Sequence, residues 1–357
     1  MKNHNSMVLV MEVSQGCQHS CSGCMISKFS NWMPDTATMT KLLKMFQEMD
    51  SAGMDFYEIE LGPTDMLSAS NRDVIFYDKS LRELASLFKI TTVNASFIHP
   101  KERDYIQFAK DIHSFTPNNW VGLAIPIEMS HVFNDKYISR IRENVRVFQQ
   151  HLPNFLKEVV LTVIFDDEFL SRAGSKYTYE DLFKRTNELS VHDRTMVDFV
   201  FHHGRRNVGD PYIQQCFKEA IAKLNEQYLK DIERRGSDLE YRHAPAQLLP
   251  ESHNNELVYH QGELYIRPVL NERVALFHEH MQFQGDWSLE NFRLQSHDRW
   301  QRNLEFASTH DECMNCNHQV ECASNYVHDL MKVVNYDHCP LIKRELEIMV
   351  QPQIFSV

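Results

Sequence analysis

Met7-Val8-Leu9-Val10-Met11-Glu12-Val13-Ser14-Gln15-Gly16-Cys17-Gln18-His19-Ser20-Cys21-Ser22-Gly23-Cys24 is the stretch on which the reading of the chain turns. A short apolar strand over Met7–Val13 runs straight into a loop that carries three cysteines at C-x3-C-x2-C spacing. Three thiolates on one tight loop can hold three iron corners of a [4Fe–4S] cube, which leaves the fourth iron without a protein ligand. Chemistry needs such an open position, whereas a purely structural metal site is closed by its fourth ligand. His19 offers the competing arrangement, a zinc site of three cysteines and one histidine. Against it, the loop follows the C-terminal end of a strand, the end at which barrel enzymes place their sites.

Working outward, strand-like and helix-like segments alternate. The expected strands are Met7–Val13, Phe56–Leu61, Ile90–Ile98, Trp120–Ile127, Glu158–Phe165 and Met196–Phe201. They are short and rich in Val, Ile and Phe, as buried parallel strands are. Between them lie helical patterns over Thr38–Met49, Lys79–Phe88, Glu102–His113, Asp135–Gln150, Tyr179–Leu189 and Tyr212–Arg235, with Asp135 and Thr178 in N-cap positions. Strand-then-helix units of this kind build a parallel sheet with right-handed crossovers. Six units fall short of a closed eight-unit barrel, so the expected fold is α/β, a partial (β/α)6 barrel over residues 1–235.

Residues 236–256, with Gly236, Pro245 and Pro250, form an expected linker. Residues 257–357 then form a small C-terminal subdomain of hairpin plus helices. Its hairpin pairs Leu257–Tyr259 with Leu264–Ile266 through a turn near Gly262, and an amphipathic stretch runs from Leu289 to Phe306.

Composition narrows the class. The chain has 357 residues, about two domains by length, with 43% hydrophobic and 24% charged residues, which is a globular balance. The net charge of −12 disfavours a nucleic-acid partner, although Arg205-Arg206 marks a local basic patch. No apolar run approaches the ~18 residues of a membrane span, and the start carries no secretion signal, so a cytoplasmic protein is expected. In that reducing setting, clustered cysteines point to metal rather than to disulfides.

The C-x3-C-x2-C loop after the first strand of a six-unit partial barrel resembles the radical S-adenosylmethionine (SAM) superfamily. The resemblance covers residues 7–235. It implies that Cys17, Cys21 and Cys24 ligate a [4Fe–4S] cluster whose open iron binds SAM. SAM cleavage would then give a 5′-deoxyadenosyl radical that abstracts a substrate hydrogen. The residue before the third cysteine, commonly aromatic in the family, is Gly23 here. Where the family often carries Gly-Gly-Glu-Pro after the second strand, this chain has Gly62-Pro63-Thr64-Asp65. The segment contacts SAM through backbone carbonyls or through Asp65, or it is a plain Gly-Pro turn. Asn94 resembles an asparagine common in the third strand. Arg140, and less well Arg142, stand where relatives often place an arginine on the SAM carboxylate, a role that suits a planar guanidinium.

A second cluster, Cys313, Cys316, Cys322 and Cys339, has C-x2-C-x5-C-x16-C spacing. Alone, it fits four-thiolate zinc as well as iron–sulfur. Together with the first triad it looks like the SPASM or twitch auxiliary-cluster extension, although Tyr326 stands where a full SPASM extension has another cysteine. The resemblance therefore implies two [4Fe–4S] clusters, one SAM-binding and one closed auxiliary cluster suited to electron transfer. It also implies a reductant such as flavodoxin or ferredoxin.

Asp166-Asp167-Glu168 and His202 end the fifth and sixth strands and so would face the barrel mouth. Asp166 and His202 are the catalytic candidates, against solvated loop residues. Cys216, on an amphipathic pattern, reads as a buried inert thiol. The implied activity is hydrogen abstraction from a peptide or protein side chain, in peptide natural-product maturation or protein modification. With the barrel beginning by residue 7, no leader-peptide-binding domain is expected ahead of it. The alternatives are oxidation or rearrangement of a small molecule, and a non-catalytic zinc protein.

Overall fold

The computed structural model describes residues 6–13, 34–62, 64–69, 72–98, 101–152, 156–165, 195–201, 256–260, 262–266, 282–311 and 313–316, with positions 181, 184–185 and 188–189. Strands β1 (Ser6–Glu12), β2 (Asp55–Gly62), β3 (Ile90–Asn94), β4 (Trp120–Glu128), β5 (Leu156–Phe165) and β6 (Thr195–Phe201) match the six expected from sequence. They pair in parallel in the order β6-β5-β4-β3-β2-β1. The chain is mixed α/β with the sheet of a partial barrel.

The hairpin, β7 (Glu256–His260) and β8 (Glu263–Ile266), forms as expected and is joined to that sheet. Strand β7 pairs in parallel with β1, and β8 closes the edge antiparallel to β7. The hairpin that opens the segment 257–357 is therefore hydrogen-bonded into the barrel sheet. Its turn residue Gly262 has φ of +91°, a backbone region that costs glycine nothing. The linker over residues 236–255, the helix over Tyr212–Arg235, the Thr178 cap and most of Tyr179–Leu189 lie outside the described residues.

Helices α1 (Thr36–Ser51), α2 (Arg72–Tyr77), α3 (Lys79–Ser86), α4 (Glu102–Phe115), α5 (Met129–Val132) and α6 (Asp135–Gln150) link the strands. Local side-chain chemistry sets their starts. Asp35 caps α1 by accepting from Thr38 N–H at 2.9 Å, and the same bond lowers the Asp35 pKa. Asp78 caps α3 by accepting from Leu81 N–H at 2.7 Å, which separates α3 from α2, a helix the periodicity missed. The N-cap of α6 is Asn134, which accepts from Lys136 N–H at 3.1 Å, so Asp135 is the first helical residue and not the cap.

Leu42, Met45 and Phe46 of α1, Leu84 of α3, Phe108 of α4 and Val145 and Phe148 of α6 pack on one face of the sheet. That face is built of Leu9, Met11, Ile59, Leu61, Val93, Leu123, Ile125, Val159 and Leu161. A final helix, α7 (Leu289–Thr309), is tied to the hairpin by Arg299, whose buried Nη1 donates to the Ile266 carbonyl at 2.9 Å. Its N-terminus meets α1 through Leu289 N–H and Glu48 Oε2 at 3.4 Å. Among the described residues, no helix is long and apolar enough to cross a membrane.

The inner face is tight at Gly122, opposite Thr92 in the β3–β4 ladder, where an added Cβ would run into Thr92 Oγ1. Gly122→Ala is expected to destabilise the fold by about 1–3 kcal/mol through overpacking. Adding Thr92→Ala should recover most of that loss in denaturant unfolding. Equal midpoints for the single variant and the wild type would refute the close approach.

Candidate active site at the C-terminal ends of the strands

Successive residues of a strand face opposite sides, so the register that sends Ile59 and Leu61 to the helices sends Glu58, Glu60 and Gly62 inward. Ladder partners share a face, which places Glu60, Thr92, Gly122 and Glu158 in one inward row. Glu12 and Gly62 face each other nearer the C-terminal edge. Glu12, Glu58, Glu60, Thr92, Asn94 and Glu158 are all buried, so the inner face is lined with polar groups. A closed eight-unit barrel fills that space with branched apolar side chains instead. Buried carboxylates persist only where donors satisfy them, and Asn94 Nδ2 donates to Glu60 Oε1 at 2.6 Å.

The loop after β2 is organised by Asp65. Its Oδ1 accepts from Leu67 N–H at 3.0 Å and Ser68 N–H at 3.3 Å. Its Oδ2 accepts from the Ser96 N–H at 3.0 Å and from the Ser96 hydroxyl at 2.5 Å. One buried carboxylate thus ties the β2 loop to the segment that follows β3. Backbone bonds reinforce the junction: Met66 N–H donates to the Asn94 carbonyl at 2.8 Å, and Val13 N–H to the Gly62 carbonyl at 3.3 Å. At Gly62 a Cβ would collide with the Asn94 amide, so only glycine admits that amide to Glu60.

Strand β3 stops at Asn94, earlier than the expected Ile98, and Phe97 adopts φ of +55°. A non-glycine residue holds that conformation only where its surroundings over-determine it. Phe97 stacks on Tyr105 at 5.1 Å and meets Phe148 edge-on at 5.5 Å. Asn144 Nδ2 donates to the Phe97 carbonyl at 2.7 Å, and Arg140 Nη1 to the Ile98 carbonyl at 3.2 Å. Arg140 and Asn144 lie one turn apart on α6, so a single helix face pins this loop.

At the other side of the mouth, His260 at the end of β7 pairs with Glu12 at the end of β1, Nδ1 to Oε2 at 2.9 Å. The carboxylate is buried and the ring partly exposed, an arrangement that orients an imidazole for proton transfer. The neighbouring Tyr259 turns to the opposite, apolar face. Burial, with the Asp35 and Glu12 carboxylates adding, pushes its hydroxyl far above the ordinary tyrosine range and keeps it neutral. Among the described residues, no group of three or more His, Cys, Asp or Glu side chains is placed to hold a metal.

The structure therefore brings Gly62, Thr64, Asp65, Asn94 and Arg140 to one rim, whereas Arg142 is exposed. Cys17, Cys21, Cys24, Pro63, Asp166, His202, Cys216, Cys322 and Cys339 lie outside the described residues. Sequence reading missed Ser96, Asn144 and the Glu12–His260 pair. The run Asn94-Ala95-Ser96 carried a weak polar signal, but nothing local announced the partners.

The first two auxiliary-cluster candidates follow α7. Cys313 N–H donates to the His310 carbonyl at 2.9 Å and Cys316 N–H to the Cys313 carbonyl at 2.9 Å, so one tight turn carries both thiols. Neither forms a disulfide. Thiolates at this spacing suit iron or zinc. Cys17, Cys21 and Cys24, which follow β1 along the chain and lie outside the described residues, have the donor chemistry of an iron–sulfur group that keeps one iron open to an adjoining polar ligand.

No protein-family profile matches the chain, and no curated protein sequence does. Solved structures do match. Native anSMEcpe with bound AdoMet and Kp18Cys peptide superposes with a TM-score of 0.52 at 10% identity, over 94% of this chain and 98% of that one. The form with Cp18Cys peptide gives 0.51 at 10% identity, over 96% and 99% of the two chains. The histidine-tagged form with AdoMet gives 0.51 at 10% identity, over 94% and 98%. That protein is an anaerobic sulfatase-maturating enzyme, a radical SAM enzyme with a SPASM domain. The chain shares that enzyme's fold. What is shared at this identity is the architecture, and the rim residues described above are this chain's own.

The Asp65 carboxylate accepts from three backbone N–H groups, and Asp65→Ala removes that acceptor from Leu67 and Ser96 N–H, whereas Ser68 N–H keeps its bond to the carbonyl of residue 65 at 3.0 Å. Each buried donor that loses its acceptor costs about 1–3 kcal/mol. The expected outcome is a lower melting temperature together with weaker SAM binding. Ser96→Ala, which removes one donor to the same carboxylate, should reproduce the effect in part. An Asp65→Ala chain as stable as the wild type would remove the organising role.

Proposed function

We propose that this chain is a radical SAM enzyme that modifies a peptide or protein side chain. The observation that carries the reading is the rim at the C-terminal ends of β1–β3. There Gly62, Thr64, Asp65 and Asn94 meet a polar inner face, and the chain continues from β1 into C-x3-C-x2-C. Cys17, Cys21 and Cys24 would hold a [4Fe–4S] cluster. When bound, that cluster and SAM supply the 5′-deoxyadenosyl radical that takes a hydrogen atom.

The protein's part is positioning. Gly62, Pro63 and Thr64 are the segment that would offer backbone carbonyls to the SAM amino group, and Asp65 ties the loop that follows them to Ser96. Asn94 lines the same edge. Arg140 steadies the segment after β3 through the Ile98 carbonyl and would supply a guanidinium for the SAM carboxylate. His260, oriented by Glu12, would be a proton acceptor or donor in addition to the sequence candidates Asp166 and His202, which lie outside the described residues. The peptide reading draws support from the fold neighbours, which bind 18Cys peptides. Cys313, Cys316, Cys322 and Cys339 would hold a closed auxiliary [4Fe–4S] cluster for electron transfer, with flavodoxin or ferredoxin as the external reductant.

Anaerobic reconstitution followed by dithionite and SAM is expected to release 5′-deoxyadenosine, and Cys17→Ala should abolish the release. Equal release from both proteins would refute the assignment. Iron should approach about eight atoms per chain by the four-iron stoichiometry of each cube. Cys316→Ala should lower that count toward one cube while sparing SAM binding. Stoichiometric zinc after strictly anaerobic purification, with one cube of iron, would make the second site a structural knob. A circular-dichroism check belongs with this variant, because ligation there also supplies folding energy.

A further inference from the structure

The turn that follows α7 contains one side chain that the ligand set does not account for. His310, the residue after the helix, sits with its Nδ1 3.8 Å from the Cys313 sulfur. We propose that His310 donates an N–H···S hydrogen bond to the Cys313 thiolate and thereby raises the reduction potential of the auxiliary cluster. This rests on the reading of Cys313 as a cluster ligand.

Three observations fix the imidazole where it is. The His310 N–H donates to the Phe306 carbonyl at 3.1 Å, which ends the helix with its last donor satisfied. Its carbonyl accepts from both Cys313 N–H at 2.9 Å and Met314 N–H at 3.0 Å, so the His310 backbone is clamped at both ends to the turn that carries the thiol. Its ring lies against Phe306 with centroids 5.3 Å apart and planes 34° apart. Little rotational freedom is left to lose when the bond to sulfur forms.

Chemistry sets the direction of the bond. A metal-bound cysteine is a thiolate, which has no proton to give, so Nδ1–H is the donor and Sγ the acceptor. Cys313 is buried, so water competes little for the sulfur lone pairs, and a bond made there counts for more than at the surface. Hydrogen bonds to cluster sulfurs withdraw charge from the iron and favour the more reduced, more negative state. Ligation by His310 itself is the competing arrangement. Against it, His310, Cys313 and Cys316 do not form a three-ligand metal set among the described residues, and the proposed four-cysteine set leaves no position for a further ligand. His310 is thus a positioning and tuning residue.

The test uses the full chain with Cys17→Ala, Cys21→Ala and Cys24→Ala, so that only the auxiliary cluster is loaded, and reads its midpoint potential in a mediated titration followed by EPR. His310→Phe keeps an aromatic ring against Phe306 but has no donor. It is expected to retain the background's full iron and sulfide while its potential moves to a more negative value. His310→Gln, whose amide can donate again, should return the potential toward that of the background protein. An unchanged potential in His310→Phe at full iron content would overturn the proposal. So would loss of iron in His310→Phe comparable to that in Cys316→Ala, because histidine would then be a ligand. Absence of any iron–sulfur signal in the triad background would instead defeat the auxiliary-cluster reading beneath it. Circular dichroism of both His310 variants separates all of these from misfolding.

Discussion

Everything at the mouth of this sheet depends on the two-residue alternation of a parallel strand. Helices α1, α3, α4 and α6 demand an apolar face, and Leu9, Met11, Ile59, Leu61, Val93, Leu123 and Leu161 supply it. Once those residues face outward, geometry gives Glu12, Glu58, Glu60, Gly62, Thr92 and Asn94 no other place than the inside. A one-residue slip would exchange the two sets and put carboxylates against Phe46 and Phe108. The polar interior and the apolar helix layer are consequences of the same register.

A polar interior must be satisfied, and here satisfaction and site construction coincide. Asn94 reaches Glu60 because Gly62 lacks a side chain, and Asp65 closes four bonds that join the loop after β2 to the segment after β3. Around them, α6 reaches over with Arg140 and Asn144 to hold two carbonyls of a backbone stretch that includes the positive-φ Phe97. Such conformations persist where bonds and packing leave no alternative, and they tend to gather at sites that need preorganisation. The loops that would receive a ligand are stiff because buried polar groups required partners.

The hairpin is the second organising feature. By pairing with β1 rather than standing apart, β7 brings His260 to Glu12 and extends the parallel run by one strand. It also gives Arg299 of α7 a carbonyl to hold at Ile266, so the helix that delivers the Cys313 turn is anchored to the barrel sheet. The strand that runs into the first cysteine series and the helix that runs into the second are thus joined through neighbouring strands of one sheet.

Much was legible in one dimension. The six strands fell close to their observed bounds because buried parallel strands are dense in β-branched and aromatic residues, and α6 was read over its observed span because its apolar spacing is regular. Cysteine spacing raised metal as an expectation, and of those cysteines only Cys313 and Cys316 lie among the described residues. The family resemblance also singled out Gly62, Asp65, Asn94 and Arg140, which lie at the end of β2, in the loop after it, at the end of β3 and within α6. What sequence alone left open is what depends on contacts between distant segments. The pairing of β7 with β1, the Glu12–His260 pair, the Asp65–Ser96 bonds and the Asn144 grip on Phe97 each join residues that no local pattern relates. Sequence determined the elements and the donor chemistry, since both are encoded by neighbours along the chain. Only the tertiary structure decided which side chain answers which, because a buried polar group is satisfied by whatever the packing brings within hydrogen-bonding reach.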